Sequence, residues 1–165
     1  MRGYGQYGAM RNEPGYDAVC WGSRGGVNAT FRQAGESPAI APQGFGDFNA
    51  AAIFAGGIVA ALFNRERTGV GEKVTTNLYH VALWGHSHGI QSHQFGATYP
   101  CDRAAVRNPF NNTYQSRDGV WFLICLPDYN RYYNPMMKML GLDEMVDDPR
   151  MSTLAVSYTH LTLPT

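Results

Sequence analysis

The sequence predicts a chain of mixed helices and strands, divided over two structural units. An almost uninterrupted apolar stretch over residues 48–64 is typical of a helix. A predicted β-hairpin over residues 113–127, built around an Asp-Gly tight turn, is followed by a predicted helix over residues 129–140. The polar, histidine-rich stretch that begins at Gly85 separates these two patterns. We therefore place the boundary between the units there.

The remaining elements are shorter. Residues 16–26 predict a short helix that Gly25 or Gly26 ends, and residues 30–43 read as a loop with scattered proline and glycine. Residues 73–84 begin as strand or helix and become clearly apolar.

Composition narrows the classes of function. The chain has 165 residues, 44% of them hydrophobic, and 13 acidic residues balance 13 basic ones. A balanced charge gives no general attraction to nucleic acid or to an anionic membrane, so neither partner is expected. Three cysteines, and no signal peptide in residues 1–15, predict a cytoplasmic location. The longest apolar run, residues 50–63, is too short to cross a bilayer and predicts a buried helix.

The chemical clue in the sequence is Asp47, which stands in a glycine-rich turn directly before the apolar helix. The first turn of a helix has unpaired backbone N–H groups and a positive dipole end, which favour an ionised carboxylate. Asp47 is then either a simple N-cap or a nucleophile. Gly44 and Gly46 favour the second interpretation, because they let other groups approach the carboxylate closely.

Other clusters predict less chemistry. The histidines at positions 80, 86, 88 and 93 are six, two and five residues apart, which is not the spacing of ligands on one helix face, so no metal site is expected. The GYGQYG sequence at residues 3–8 has the glycine spacing of a dinucleotide fingerprint but lacks the apolar strand that must precede it. Cys125 lies in an apolar strand and is predicted to be a buried, inert thiol.

The last ten residues, 156–165, fit nothing before them and contain no charge. Their codons can be chosen to spell the end of a sequencing-library adapter. We therefore interpret residues 156–165, including His160, as read-through and exclude them from the fold.

The motifs together resemble those of the family III (CaiB/BaiF-type) CoA-transferases. The resemblance is carried by Gly46-Asp47 before the apolar helix, Ala61-Leu62 within it, and the turn RTGVGEKV over residues 67–74. It extends over residues 3–150. The NPF of residues 108–110 and the CLPDY of residues 125–129 are most similar to the branch that acts on 2-hydroxyacyl-CoAs, such as those of 2-hydroxyisocaproate or phenyllactate.

The resemblance implies an α/β fold of which this chain is a fragment. Residues 1–90 would be the end of the N-terminal half of a Rossmann-like large domain with a linker helix. Residues 91–155 would be the start of a smaller α+β domain. Proteins of this family form interlocked homodimers, and the resemblance implies the same for the full-length protein. The isolated fragment would then be inactive.

The resemblance also implies an activity and its residues. Asp47 would be the catalytic nucleophile that carries CoA, as an aspartyl-CoA thioester, from an acyl-CoA to a carboxylic acid. Backbone N–H groups near Gly44, Gly46 and Phe48 would stabilise the oxyanions, and Tyr16 would line the acyl pocket. Acyl-CoA and acid would be substrates, with no permanently bound cofactor and no metal. The alternatives are an isomerase similar to α-methylacyl-CoA racemase, or an inactive truncated product. The racemase motif has histidine where this chain has Tyr16, which disfavours the isomerase.

Overall fold

The computed structural model describes residues 1–151, 153 and 154, which fall into two compact units. The first is Met1–Cys101 and the second begins at Asp102. The division is geometric, and the assignment of residues 1–90 and 91–155 to two domains of the family stays a prediction. The predicted read-through segment, residues 156–165, lies outside the described residues.

The first unit opens with a glycine-rich segment that leads into a π-helix, Ala18–Arg24, and a short helix α1, Val27–Thr30. The N–H of Gly25 donates to the carbonyl of Cys20 at 3.0 Å and closes the π-helix. Gly26 then takes a left-handed conformation, with φ of 81°, which glycine adopts without steric cost. The predicted short helix over residues 16–26 is confirmed.

The long helix α2 spans Phe45–Thr68, 24 residues in all. It begins three residues before the predicted start and ends four residues after the predicted end. Both flanking residues, Gly44 and Gly69, have left-handed backbones, with φ of 78° and 74°. Glycine at these two positions therefore sets the limits of the helix, because residues with a Cβ rarely adopt that conformation.

The prediction that this apolar helix is buried was wrong for most of its length. Among the residues of α2 only Gly46 and Ala50 are buried, and its other apolar side chains are partly or largely exposed. By length and composition α2 could cross a membrane: an 18-residue window has a mean hydropathy of 1.6, and 11% of it is buried. The apolar run over residues 50–63 underestimates the length of the helix, because the helix continues beyond both ends of that run. Core helices of water-soluble proteins have the same composition, so this property does not assign the chain to a membrane.

Two further helices complete the first unit, α3 over Leu78–Gly85 and α4 over Ser87–His93. Asn77 caps α3 by accepting the N–H of His80 at 2.8 Å. Directly before α3, residues 76–78 run parallel to residues 2–3, and the carbonyl of Arg2 accepts the N–H of Leu78 at 3.1 Å. This parallel contact is the pairing expected in an α/β fold.

The core of the first unit lies where the π-helix, the start of α2 and α3 meet. The side chains that form it are small or medium apolar groups and one indole: Cys20, Trp21, Val27, Ala50, Leu78, Val81 and Ala82. Only the first turns of α2 contribute to this core. The amino end of α2 is therefore anchored, while the rest of the helix projects apolar side chains to solvent.

The second unit contains the predicted hairpin and the helix after it. Strands β1, Asn111–Gln115, and β2, Trp121–Cys125, pair antiparallel around the turn at Gly119. Helix α5, Tyr129–Met139, is capped by Asp128, which accepts the N–H of Arg131 at 3.2 Å. Cys125 is exposed, so its prediction as a buried thiol was wrong. Successive strand residues face opposite sides, and it is the neighbouring Ile124 that packs against the core.

Aromatic rings and methionines form the core of the second unit. Phe110 stacks on Tyr129 with ring centroids 5.0 Å apart, and Met136 and Met137 fill the space beside Tyr133. The Tyr133 hydroxyl donates to the carbonyl of Met145 at 2.8 Å. Burial raises the pKa of this hydroxyl, and the nearby charges of Tyr129 and Asp148 raise it further.

We expect Tyr133→Phe to destabilise the second unit by about 1 kcal/mol, because the Met145 carbonyl loses its buried donor. The folded pKa of Tyr133 lies above its unfolded value of about 10. Its contribution is therefore complete below about pH 10 and is lost as the pH rises further. Urea unfolding followed by circular dichroism, near neutral pH and above about pH 10, measures both effects.

Tyr132→Phe is the matched control. The Tyr132 ring is half-buried and lies 5.3 Å from the guanidinium of Arg131, a contact that phenylalanine keeps. Equal destabilisation by the two substitutions would contradict the role given to the Tyr133 hydroxyl.

Candidate active site

Asp47 lies inside the first turn of α2, as the third residue of the helix. Its interpretation as a simple N-cap was wrong, because Gly44 occupies the N-cap position and no side chain caps there. The helix starts earlier than expected since Gly44 provides the left-handed bend three residues before Asp47. The carboxylate is still next to the positive end of the helix dipole, where a negative charge is favoured.

The Asp47 side chain is exposed. Within the described residues, its carboxylate has no hydrogen-bond donor and no ion-pair partner, and the two salt bridges found there involve other acids. A carboxylate without a partner keeps its lone pairs free for attack on an electrophile.

The residue before Asp47 is held in tight contact with the π-helix. The N–H of Gly46 donates to Oδ1 of Asp17 at 3.2 Å. A Cβ on Gly46 would lie 2.5 Å from a ring carbon of Trp21 and 2.6 Å from Oδ1 of Asp17, closer than real Cβ contacts occur. The Trp21 ring also packs on Phe45, with centroids 5.4 Å apart. Glycine is therefore required at position 46.

The other predicted site residues surround the same turn. Phe48 is 79% exposed and its ring lies beside Gly44, where a Cβ would be 3.4 Å away. Tyr16 is 75% exposed and directly precedes Asp17, the residue bonded to Gly46. The structure thus brings Gly44, Gly46, Asp47 and Phe48 together and places Tyr16 one residue from a contact with them.

The backbone donors differ from those expected. The N–H of Gly46 is used by Asp17, and the N–H of Phe48 donates to the carbonyl of Gly44 at 2.8 Å. Among the described residues, the N–H groups of Gly44 and Asp47 have no hydrogen-bond partner. The donors available to a developing negative charge are therefore those of Gly44 and Asp47.

Asp47 does not line the three cavities described in the first unit. Three cavities there, of about 620, 290 and 240 Å³, are lined by other residues. Asp47 therefore lies on an exposed surface rather than in any of these three cavities. The sequence did not indicate that Asp17 and Trp21 support the first turn of α2, since both lie far from Gly46 along the chain, Asp17 by 29 residues, and their residue types give no signal.

Comparisons with known proteins assign the chain to a family. The sequence matches the profile of CoA-transferase family III over residues 1–160. The chain belongs to CoA-transferase family III. It is 33% identical to an (R)-2-hydroxy-4-methylpentanoate CoA-transferase of Clostridioides difficile, covering 96% of this chain and 40% of the relative. It is 36% identical to a cinnamoyl-CoA:phenyllactate CoA-transferase of Clostridium sporogenes, covering 93% and 38%.

A solved structure agrees with the fold. A CaiB/BaiF family protein from Brucella suis superposes with a TM-score of 0.71 at 21% identity, over 97% of this chain and 42% of that protein. The predicted family and its α/β fold class are thereby confirmed. The relatives are CoA-transferases by name, which confirms the enzyme class. This chain spans about 40% of the length of these two curated relatives.

We expect Gly46→Ala to destabilise the first unit by about 1–3 kcal/mol, because the added methyl overlaps Trp21 and Asp17. Gly56→Ala, in the same helix, is the matched control. Its methyl would meet no atom within 4 Å, and alanine favours the helix by up to about 1 kcal/mol. Urea titration monitored by tryptophan fluorescence separates the two. Destabilisation by Gly56→Ala equal to that by Gly46→Ala would contradict the close contact.

Proposed function

We propose that the protein to which this chain belongs transfers CoA from an acyl-CoA to a 2-hydroxy acid, with Asp47 as nucleophile. The observation that supports this most directly is the placement of Asp47. Its exposed carboxylate has no partner among the described residues, yet it stands on the anchored end of α2. A group that must attack a thioester needs both properties, free lone pairs and a fixed position.

The proposed reaction proceeds through mixed anhydrides and an aspartyl-CoA thioester on Asp47. Asp47 attacks the thioester carbonyl, the C–S bond of the tetrahedral intermediate breaks, and CoA leaves as a thiolate, so that Asp47 and the first acyl group form a mixed anhydride. The thiolate then attacks the aspartyl carbonyl, which releases the first acid and forms an aspartyl-CoA thioester. The acceptor carboxylate attacks this thioester, which releases the thiolate and forms a second mixed anhydride. The thiolate then attacks the acceptor's carbonyl in this anhydride, which forms the new acyl-CoA and frees Asp47. Each step exchanges one activated acyl bond for another, so a carboxylate suits the nucleophile's role.

The two unpaired N–H groups at the start of α2 are placed to donate hydrogen bonds to the oxyanions of the tetrahedral intermediates. Each attack places a negative charge on a carbonyl oxygen next to Asp47. The N–H groups of Gly44 and Asp47 have no other partner among the described residues and lie at the positive end of the helix. Fixed donors of this kind stabilise an oxyanion more than mobile water does.

The aromatic side chains beside the nucleophile favour an acid with an apolar substituent. Phe48 and Tyr16 both expose their rings near the first turn of α2. The two curated relatives are named for 4-methylpentanoate and phenyllactate derivatives, which are 2-hydroxy acids with apolar side chains. We assign Tyr16 and Phe48 to the binding of that side chain.

The isomerase alternative requires a different group. A racemase moves a proton between two faces of the carbon next to the thioester, and its motif uses histidine at the position of Tyr16. A tyrosine hydroxyl does not exchange protons readily near neutral pH. Transfer rather than isomerisation is therefore the function proposed.

The wider setting is also part of the proposal. The 1–90 segment completes half of a large Rossmann-like domain, and the 91–155 segment begins a small one, in an interlocked homodimer. The enzyme is cytoplasmic, acts without a bound cofactor or metal, and uses neither nucleic acid nor a membrane as partner. We expect the 165-residue chain alone to be inactive, because it spans about 40% of the length of its curated relatives.

We expect Asp47→Asn, made in a full-length protein that contains this chain, to lower transfer by about 10⁴-fold or more. The amide keeps the shape of the side chain but cannot form an anhydride or a thioester. A 2-hydroxyacyl-CoA and a free acid serve as substrates, and hydroxylamine traps the activated aspartyl group as a hydroxamate on residue 47. Unchanged turnover, or a hydroxamate formed equally well in the variant, would end the proposal.

Proton exchange decides between transfer and isomerisation. In deuterated water, we expect CoA transfer without deuterium entering the carbon next to the carbonyl, because no base for that proton stands at position 16. Tyr16→Phe removes the hydroxyl and keeps the ring, so it should retain transfer within about threefold. Rapid deuterium incorporation that Tyr16→Phe abolishes would favour the isomerase instead.

A further inference from the structure

Asp17 is the residue that ties the nucleophile's turn to the rest of the first unit. It directly precedes the π-helix Ala18–Arg24, and its side chain is half-buried. Its Oδ1 accepts the N–H of Gly46, 29 residues away along the chain, at 3.2 Å. Gly46 is the second residue of α2 and is buried. The hydrogen bond therefore holds the backbone of the residue directly before Asp47.

The hydrogen bond is part of a closer fit. Oδ1 of Asp17 and the ring of Trp21 both lie within 2.7 Å of where a Cβ on Gly46 would stand. The Trp21 ring contacts Phe45 as well. The first turn of α2 is thus held by apolar contact on Trp21 and by a directed bond on Asp17. Because a hydrogen bond is directional, the bond to Asp17 also restrains the orientation of the turn.

We infer that Asp17 is a positioning residue for Asp47, which acts by accepting the Gly46 N–H rather than through its charge. This inference rests on the proposed role of Asp47. The N–H of Gly46 belongs to the Phe45–Gly46 peptide, one peptide before the one that joins Gly46 to Asp47, so holding it restrains the backbone from which the carboxylate projects. Removing the acceptor frees this N–H to turn toward water. A reacting group displaced by about 1 Å can lose about 100-fold in rate.

The experiment compares three variants in a full-length protein that contains this chain. Asp17→Ala removes the acceptor, and Asp17→Asn keeps an oxygen in the same place without the charge. Asp102→Ala is the matched control, since Asp102 also accepts a backbone N–H, that of Ala104 at 2.8 Å, in the second unit. For each variant kcat, KM for the acyl-CoA and the single-turnover rate of hydroxamate formation at Asp47 are measured.

We expect Asp17→Ala to lower kcat and hydroxamate formation by about 10- to 100-fold, with KM within about twofold. Asp17→Asn should restore kcat to within about threefold of the unsubstituted protein, and Asp102→Ala should change neither constant. A purely structural loss would lower the fraction of active protein but leave the single-turnover rate of that fraction unchanged.

Two results overturn the inference. One is an Asp17→Ala enzyme with unchanged kcat. The other is an Asp17→Asn enzyme that folds and is as slow as Asp17→Ala, which would assign the effect to charge. If Asp17→Ala does not fold, Asp17→Asn decides alone, because its activity must be retained. These outcomes are distinct from a failure of the proposed function, which appears as activity in Asp47→Asn.

Discussion

The contact at Gly46 is the constraint on which the rest of the first unit depends. The π-helix can approach the backbone at the start of α2 only because position 46 lacks a Cβ. Trp21 supplies the apolar area and Asp17 satisfies one of the N–H groups that every helix start leaves unpaired. Ala50, one turn later, extends the same contact into the core. Without that approach, α2 would have little to hold it to the π-helix.

The two ends of α2 consequently behave as different surfaces. The amino end packs on the π-helix and α3, whereas the remainder exposes large apolar groups, among them Val59 and Phe63. Contiguous apolar surface on this scale is unusual for an isolated soluble domain and favours association. The glycine pair within the helix also faces two environments, since a Cβ on Gly56 would meet no atom within 4 Å, while one on Gly57 would lie 3.0 Å from Val74. The end of α2 that packs against the core is thus the end that carries Asp47, the proposed nucleophile.

The elements of the second unit were predictable because their signals are local. An Asp-Gly turn fixes a hairpin, and Asp128 with Gly141 marks the two ends of a helix. The burial of α2 was not predictable, because an apolar sequence states a preference for burial and not the presence of a partner. The start of α2 was missed since Phe45 and Gly46 read as turn residues. Of the site, the sequence indicated Asp47 and its glycines, while Asp17 required the folded contact across 29 residues.

A nucleophilic carboxylate faces two opposed requirements, and the start of α2 meets both. It must be ionised, which a neighbouring cation would favour, yet a cation in contact would occupy the lone pairs that attack. A helix dipole, equivalent to about half a positive charge, favours the anion without contacting its oxygens. Two carboxylates lie at this helix end. Asp17 accepts the Gly46 N–H, whereas Asp47 has no hydrogen-bond or ion-pair partner among the described residues. The acid bonded to the turn and the acid proposed to react are therefore different residues, so the turn can be held while the carboxylate of Asp47 stays free.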